Sequence, residues 1–191
     1  MIRPLLACTG TLNLFSMMGQ AVILLFAVND LGLSADGIGL ILSIGSAGFL
    51  IGALVGERVE KRIGVGPTLI VSGFLIGLGA VFVPIATRGS AALFLILYGL
   101  IASFGAVIYN VNGRSLMQSL TADRMLGRAI ATNRFVVWGV IPIGAFVGGV
   151  LGSRIGLRPT LWIAAAGQLL AFLPPLMSPV RHLRSLAESA P

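Results

Sequence analysis

The stretch Arg62-Ile63-Gly64-Val65-Gly66-Pro67-Thr68-Leu69 occurs twice in this chain. Its second copy, Arg154-Ile155-Gly156-Leu157-Arg158-Pro159-Thr160-Leu161, lies 92 residues further on and is identical at six of eight positions. Each copy sits where one long apolar run stops and the next begins. Glycine ends a helix cheaply in the left-handed αL conformation, and proline presets φ in the first turn of the helix that follows. The phrase reads as a connector between two packed helices, and its recurrence marks a duplicated unit.

The runs on either side set the class. Hydrophobic residues make up 57% of the chain and charged residues 10%, and the mean hydropathy is +1.01. A water-soluble domain carries roughly 25% charged residues, so the composition is that of an all-α membrane protein. A spanning helix needs about 20 mostly apolar residues. Six segments qualify, at about 5–28, 36–56, 67–86, 91–113, 126–151 and 160–178. Turn signals stand between them. Asn29-Asp30 with Gly32 closes the first segment, and Ser34 is placed to cap the second. Arg88-Gly89-Ser90 reads as a tight turn, and Thr121-Ala122-Asp123 echoes Ser34-Ala35-Asp36 ahead of the fifth segment. Residues 1–180 are expected to form one bundle and 181–191 a cytoplasmic tail. The first run lacks a small-residue cleavage site and is read as a span rather than a signal peptide.

The displacement of 92 residues carries the end of the second helix onto the end of the fifth. Each unit is therefore three helices, about 4–88 and 89–180. Three is odd, so the second unit enters the membrane upside down relative to the first. The expected fold is six transmembrane helices as an inverted three-plus-three repeat, an arrangement that recurs in secondary transporters.

Arginine and lysine placement sets the orientation. With the N-terminus inside, nine basic residues fall at inner helix ends: Arg3, Arg58, Lys61, Arg62, Arg114, Arg124, Arg128, Arg181 and Arg184. Three fall at outer ends, Arg88, Arg154 and Arg158. Both termini are thus expected in the cytoplasm, with the chain crossing the cell (inner or plasma) membrane. The net charge of +7 follows from this topology and calls for no nucleic-acid partner; the lipid bilayer is the partner. Cys8 is the only cysteine, so no internal disulfide can form. His182 is the only histidine and lies near the C-terminus, which leaves no histidine-based metal site or catalytic dyad inside the membrane. No cofactor, no metal and no catalytic residue is expected.

Polar residues inside the spans are the candidate site. Thr9, Asn13, Ser16 and Gln20 fall within an arc of roughly 60° on the first helix. Hydrocarbon does not tolerate such a stripe, so it faces protein or a watery cavity. It serves either hydrogen bonds between helices or substrate lining. The fourth helix carries Tyr98, Tyr109 and Asn112 on one face and Ser103, Asn110 and Arg114 on another; the pattern leaves open which looks inward. Arg134, after Asn133, lies inside the fifth span. It is either a functional charge or an arginine that reaches headgroups or a carbonyl. No acidic residue lies in any span core. Gly48, Gly52 and Gly56 on the second helix, and Gly144, Gly148 and Gly152 on the fifth, form small-residue stripes that let helices approach closely. Pro84, Pro142 and Pro174-Pro175 interrupt the third, fifth and sixth helices. Trp162 reads as an interfacial anchor, and Trp138 as packed in the bundle.

The run Leu126-Gly127-Arg128-Ala129-Ile130-Ala131-Thr132-Asn133-Arg134-Phe135, followed by Trp138-Gly139 and Pro142-Ile143-Gly144-Ala145-Phe146-Val147-Gly148-Gly149, resembles the C-terminal half of major facilitator superfamily exporters. The nearest branch by resemblance is the bacterial drug:proton antiporter group that includes macrolide-efflux-type proteins. Leu31-Gly32-Leu33-Ser34, Asn112, Gln118 and Thr121 to Arg124 fit the same pattern. The resemblance implies that these six helices are the second half of a twelve-helix carrier. It implies a cavity lined by the first and fourth helices, with Thr9, Asn13, Ser16, Gln20, Tyr98, Tyr109, Asn112 and Arg134 as candidates. It implies that the second and fifth helices, with their glycine stripes, meet the other half. The stretch Gly56 to Gly64 is similar to the family's gating loop, which would give Glu57, Glu60, Lys61, Arg62 and Gly64 a gating role. Lys61 stands where that motif often has an acid.

The function expected is half, or a truncated part, of a secondary active transporter that exports small amphipathic compounds by alternating access. Its partners would be the bilayer, a small-molecule substrate and a second six-helix half, as a separate chain or a homodimer. Two other classes compete. A non-transporting assembly subunit would use its glycine stripes to bind other helices. An intramembrane serine protease would need a histidine on a span, where this chain has none.

Overall fold

The computed structural model describes residues 2–119, 123–179 and 183. The expected cap at Thr121-Ala122 and the tail positions Arg181, His182 and Arg184 lie outside the described residues, as do the side chains of Arg3, Arg124 and Asn133. The chain forms α1 (Ile2–Leu25), continued by a π-helical segment Phe26–Asp30, then α2 (Ala35–Ile63), α3 (Val65–Ile85), α4 (Ala91–Ser119), α5 (Asp123–Ile155), α6 (Leu157–Leu170) and a last turn α7 (Leu173–Leu176). Six of these stretches are long and apolar enough to cross a membrane. The protein is a multi-pass membrane protein. Its helices run up and down between a proximal end, where α1 begins and α2 hands over to α3, and a distal end.

The helices are longer than the apolar runs that announce them. The expected segment 36–56 is Ala35–Ile63, and 126–151 is Asp123–Ile155. Charged residues past the apolar run are good helix formers, and Lys61 pairs with Glu57 one turn back. The stretch Gly56 to Gly64 is therefore not a loop: it is helical through Ile63, and Gly64 alone makes the turn. The sixth span, Leu157–Leu176, is broken near its end. α6 stops at Leu170, with Pro174 and Pro175 in the separate turn α7, because proline removes a helix donor and clashes with the preceding turn.

The duplicated phrase adopts one conformation twice. Gly64 has φ 89° and ψ 163°, and Gly156 has φ 96° and ψ 164°. This is not αL but a more extended positive-φ region that essentially only glycine occupies. Thr68 Oγ1 donates to the Gly64 carbonyl at 2.6 Å, and Thr160 Oγ1 to the Gly156 carbonyl at 2.8 Å. Both threonines are fully buried. Ser34 caps α2 by accepting from the Gly37 N–H, and Thr87 and Ser90 close the α3–α4 turn through their hydroxyls.

Packing follows the repeat but crosses its boundary. α2 lies on α4 and α5 on α1; α3 packs on α4, and α6 on α1; α3 and α6 pack on each other. Exchanging α1, α2 and α3 for α4, α5 and α6 reproduces this pattern, so the two inverted units interlock. The glycine stripes are consumed in the crossing. A methyl built on Gly45 would stand 2.9 Å from Gly99 Cα, and one on Gly52 would stand 2.9 Å from the Phe104 carbonyl. One on Gly144 would stand 3.1 Å from Met17 Cβ, and one on Gly148 2.9 Å from Met18 Cα. Gly48, Gly52, Gly56, Gly144 and Gly148 are buried inside the bundle, and Gly152 meets Val22. The stripes are not a surface held open for a second half. Larger residues pack at the two ends, around Leu69 and Leu116 proximally and around Phe26 and Val83 distally.

Candidate functional site

With α2 packed on α4 and α5 on α1, a concave seam runs between α1 and α4. Among the described residues, two large pockets open on it. The distal one, about 370 Å³, takes its wall from α2. The proximal one, about 560 Å³, takes its wall from α5. They adjoin: Asn13 and Ser16 face different pockets one helical turn apart on α1, as do Ala106 and Tyr109 on α4.

The two pockets are images of each other under the repeat. Ile38, Leu42, Gly45 and Ser46 line the distal pocket, and Ile130, Arg134, Val137 and Trp138, each 92 residues on, line the proximal one. On the other wall the displacement is 93: Leu5, Leu6, Thr9 and Asn13 correspond to Tyr98, Gly99, Ala102 and Ala106. Inverted symmetry thus builds the seam itself.

The linings differ in chemistry. Ser16, Gln20 and Tyr98 face the distal pocket, among Leu24, Ile41, Leu42, Phe49 and Leu95. Thr9, Asn13, Tyr109 and Arg134 face the proximal pocket, with Asn110, Arg114 and Gln118. The α1 stripe is split between the two readings open to it. Thr9 Oγ1 and the Tyr109 hydroxyl are hydrogen-bonded at 3.0 Å across the helix interface. Asn13 Nδ2 donates to the Thr9 carbonyl at 2.8 Å, and Gln20 Nε2 to Ser16 Oγ at 3.2 Å, both within α1. Asn112 does not face the seam. It is 2% exposed, its Nδ2 donates to the Ile108 carbonyl, and its Oδ1 has no partner among the described residues.

Both faces of α4 contribute to the seam, since Ser103, Asn110 and Arg114 line it beside Tyr98 and Tyr109. The arc that points into it is centred between them, on Gly99, Ala102, Ala106 and Gly113. Trp138 is 72% exposed on the proximal wall and is not packed in the core. Gln168 of α6, absent from the sequence-based candidates, is 6% exposed and closes the back of the distal pocket. A glutamine in an otherwise apolar span was the signal for it. Glu57, Glu60, Lys61 and Arg62 lie on the last turns of α2, away from both pockets.

A set of six helices around a seam built by an inverted repeat is a transporter architecture. The sequence pattern of the Major Facilitator Superfamily matches residues 6–189. The chain belongs to the Major Facilitator Superfamily. No curated protein matches it. Among solved structures it is similar to a bacterial homologue of the human drug peptide transporters, with a TM-score of 0.68 at 16% identity. The match covers 99% of this chain and 45% of that one, so this Major Facilitator Superfamily chain spans under half the length of its structural neighbour. At that identity the likeness is one of fold. The superfamily is one of transporters and not of enzymes, which removes the protease reading.

Proposed function

We propose that this chain is one six-helix half of a secondary transporter that exports small amphipathic compounds by alternating access. The observation that carries the reading is the pair of symmetry-related pockets on one side of the bundle. Each is lined by α1, α4 and one of the crossing helices α2 or α5, and a second six-helix half set against the seam would complete both. The superfamily match and the coverage of under half of the neighbouring structure support a second half opposite the seam. The motif from Leu126 to Gly149 favours the drug:proton antiporter branch. The nine-to-three split of basic residues favours cytoplasmic termini in the cell membrane. The assembly-subunit reading loses its main support, because the glycine stripes are already occupied by α4 and α1.

The test is efflux of a fluorescent hydrophobic dye from cells that express this chain alone, with its candidate partner half, or neither. Faster dye loss with the complete pair, abolished by a protonophore, is the expected result. Dye retention equal in all three would overturn the proposal.

A further inference from the structure

Resting on that reading, the lining of the proximal pocket narrows the substrate class. Arg114 from α4 and Arg134 from α5 face this one pocket; Arg134 lies inside the fifth membrane-length stretch and Arg114 near the inner end of α4. Among the described residues neither guanidinium has a carboxylate or hydrogen-bond partner, and no Asp or Glu lines either pocket. A charge within a span is costly and is kept where something balances it. The scaffold does not require it here, because the repeat-related place of Arg134 is filled by Leu42. Arginine presents a planar fork of donors suited to carboxylate, sulfonate or phosphate oxygens. Thr9, Tyr109 and Gln118 add uncharged donors around it. Three residues of helix, roughly 4.5 Å of rise, separate the nearest lining residues of this pocket from those of the largely apolar distal one.

We infer that the seam takes an amphipathic anion, with its negative group against Arg114 and Arg134 and its apolar body in the distal pocket. The two guanidinium groups supply the positive charge that the pocket lacks an acid to neutralise.

Trp138 lines the same pocket and reports on it. The chain has two tryptophans, so Trp162→Phe leaves Trp138 as the sole reporter. The full chain with that substitution, in phosphatidylcholine nanodiscs, is titrated with 4-phenylbutyrate, 4-phenylbutanol and 4-phenylbutylamine, which share a body and differ in charge. Saturable change with the carboxylate at about tenfold lower concentration than with the alcohol or amine is expected. Arg114→Gln and Arg134→Gln should each weaken the carboxylate about fivefold and leave the alcohol unchanged. Equal binding of all three, or arginine variants that bind the carboxylate like the parent, would overturn the inference while leaving the transport reading intact. Absence of binding by all three would count against both. A second arm adds phosphatidylglycerol. If that lipid saturates the Trp138 signal and 4-phenylbutyrate does not compete, the arginines serve headgroups and the solute assignment fails.

Discussion

The distal and proximal pockets stand at equivalent places in the repeat and have been given different chemistry. Leu42 and Arg134 occupy one equivalent position, Ser46 and Trp138 another, and Ala106 and Asn13 a third. The backbone that shapes the two pockets is shared, down to the positive-φ glycine that turns α2 into α3 and α5 into α6. Duplication therefore explains why there is a seam, and divergence of a few side chains sets the chemistry that each end of it presents. The same division appears at the helix ends. The Gly66 N–H holds the Leu183 carbonyl at 3.0 Å on the proximal side. At the equivalent distal place Arg158 donates to the Pro84 and Ala86 carbonyls at 2.7 and 3.0 Å, with its guanidinium 5.0 Å from the Phe26 ring centre.

The comparison can be broken most severely in the crossing helices. Gly52→Leu and its repeat partner Gly144→Leu should each cost about 3 kcal/mol or more, since the added side chain meets backbone that cannot retreat. Thermal unfolding in detergent should show both losing most folded protein; a variant of either that melts like the parent would mean that the two crossings are not equivalent. Next comes the exchange of pocket chemistry. Leu42→Arg, two turns into α2, should lower stability by about 1–2 kcal/mol, less than the roughly 3 kcal/mol of a charge at a span centre. Arg134→Leu should leave the melting temperature unchanged or raised. A marked loss in Arg134→Leu would reassign that arginine to holding the fold together.

Smaller effects sharpen the picture. Arg158→Gln should cost about 2 kcal/mol through its charge-assisted bonds to the end of α3, read as a lower denaturation midpoint and faster deuterium uptake near Ala86. Gly64→Ala and Gly156→Ala should each cost about 1–3 kcal/mol from backbone strain, and by similar amounts in the same melting assay. Tyr109→Phe, which removes the bond to Thr9, should cost about 1 kcal/mol. Its removal should matter more for ligand titration at Trp138 than for unfolding.

Much of the fold was legible in the residues. Six apolar runs, Ser34 as a cap, the Arg88-Gly89-Ser90 turn and the duplicated phrase each state a local preference that the bundle satisfies. The site was legible in part. The α1 stripe of Thr9, Asn13, Ser16 and Gln20 announces itself because polar groups are conspicuous in hydrocarbon. The seam-facing arc of α4 is centred on glycine and alanine, which carry no such signal, so its polar residues fall to either side and read as two separate faces. Asn112 resembled its neighbours in chemistry, yet its side chain turns into the core behind the seam.

By itself the sequence determined that this chain spans a membrane six times, that it is a duplication, and that the second copy is inverted. Those properties follow from local composition, from an odd number of helices per unit and from a turn that only glycine can make. Tertiary structure alone decided that the units interlock, that the glycine stripes serve α4 and α1, and that Arg114 and Arg134 share a pocket. Residue spacing along a helix fixes which side chains share a face, but not which neighbour that face meets, because that depends on how closely the backbones of distant segments can approach.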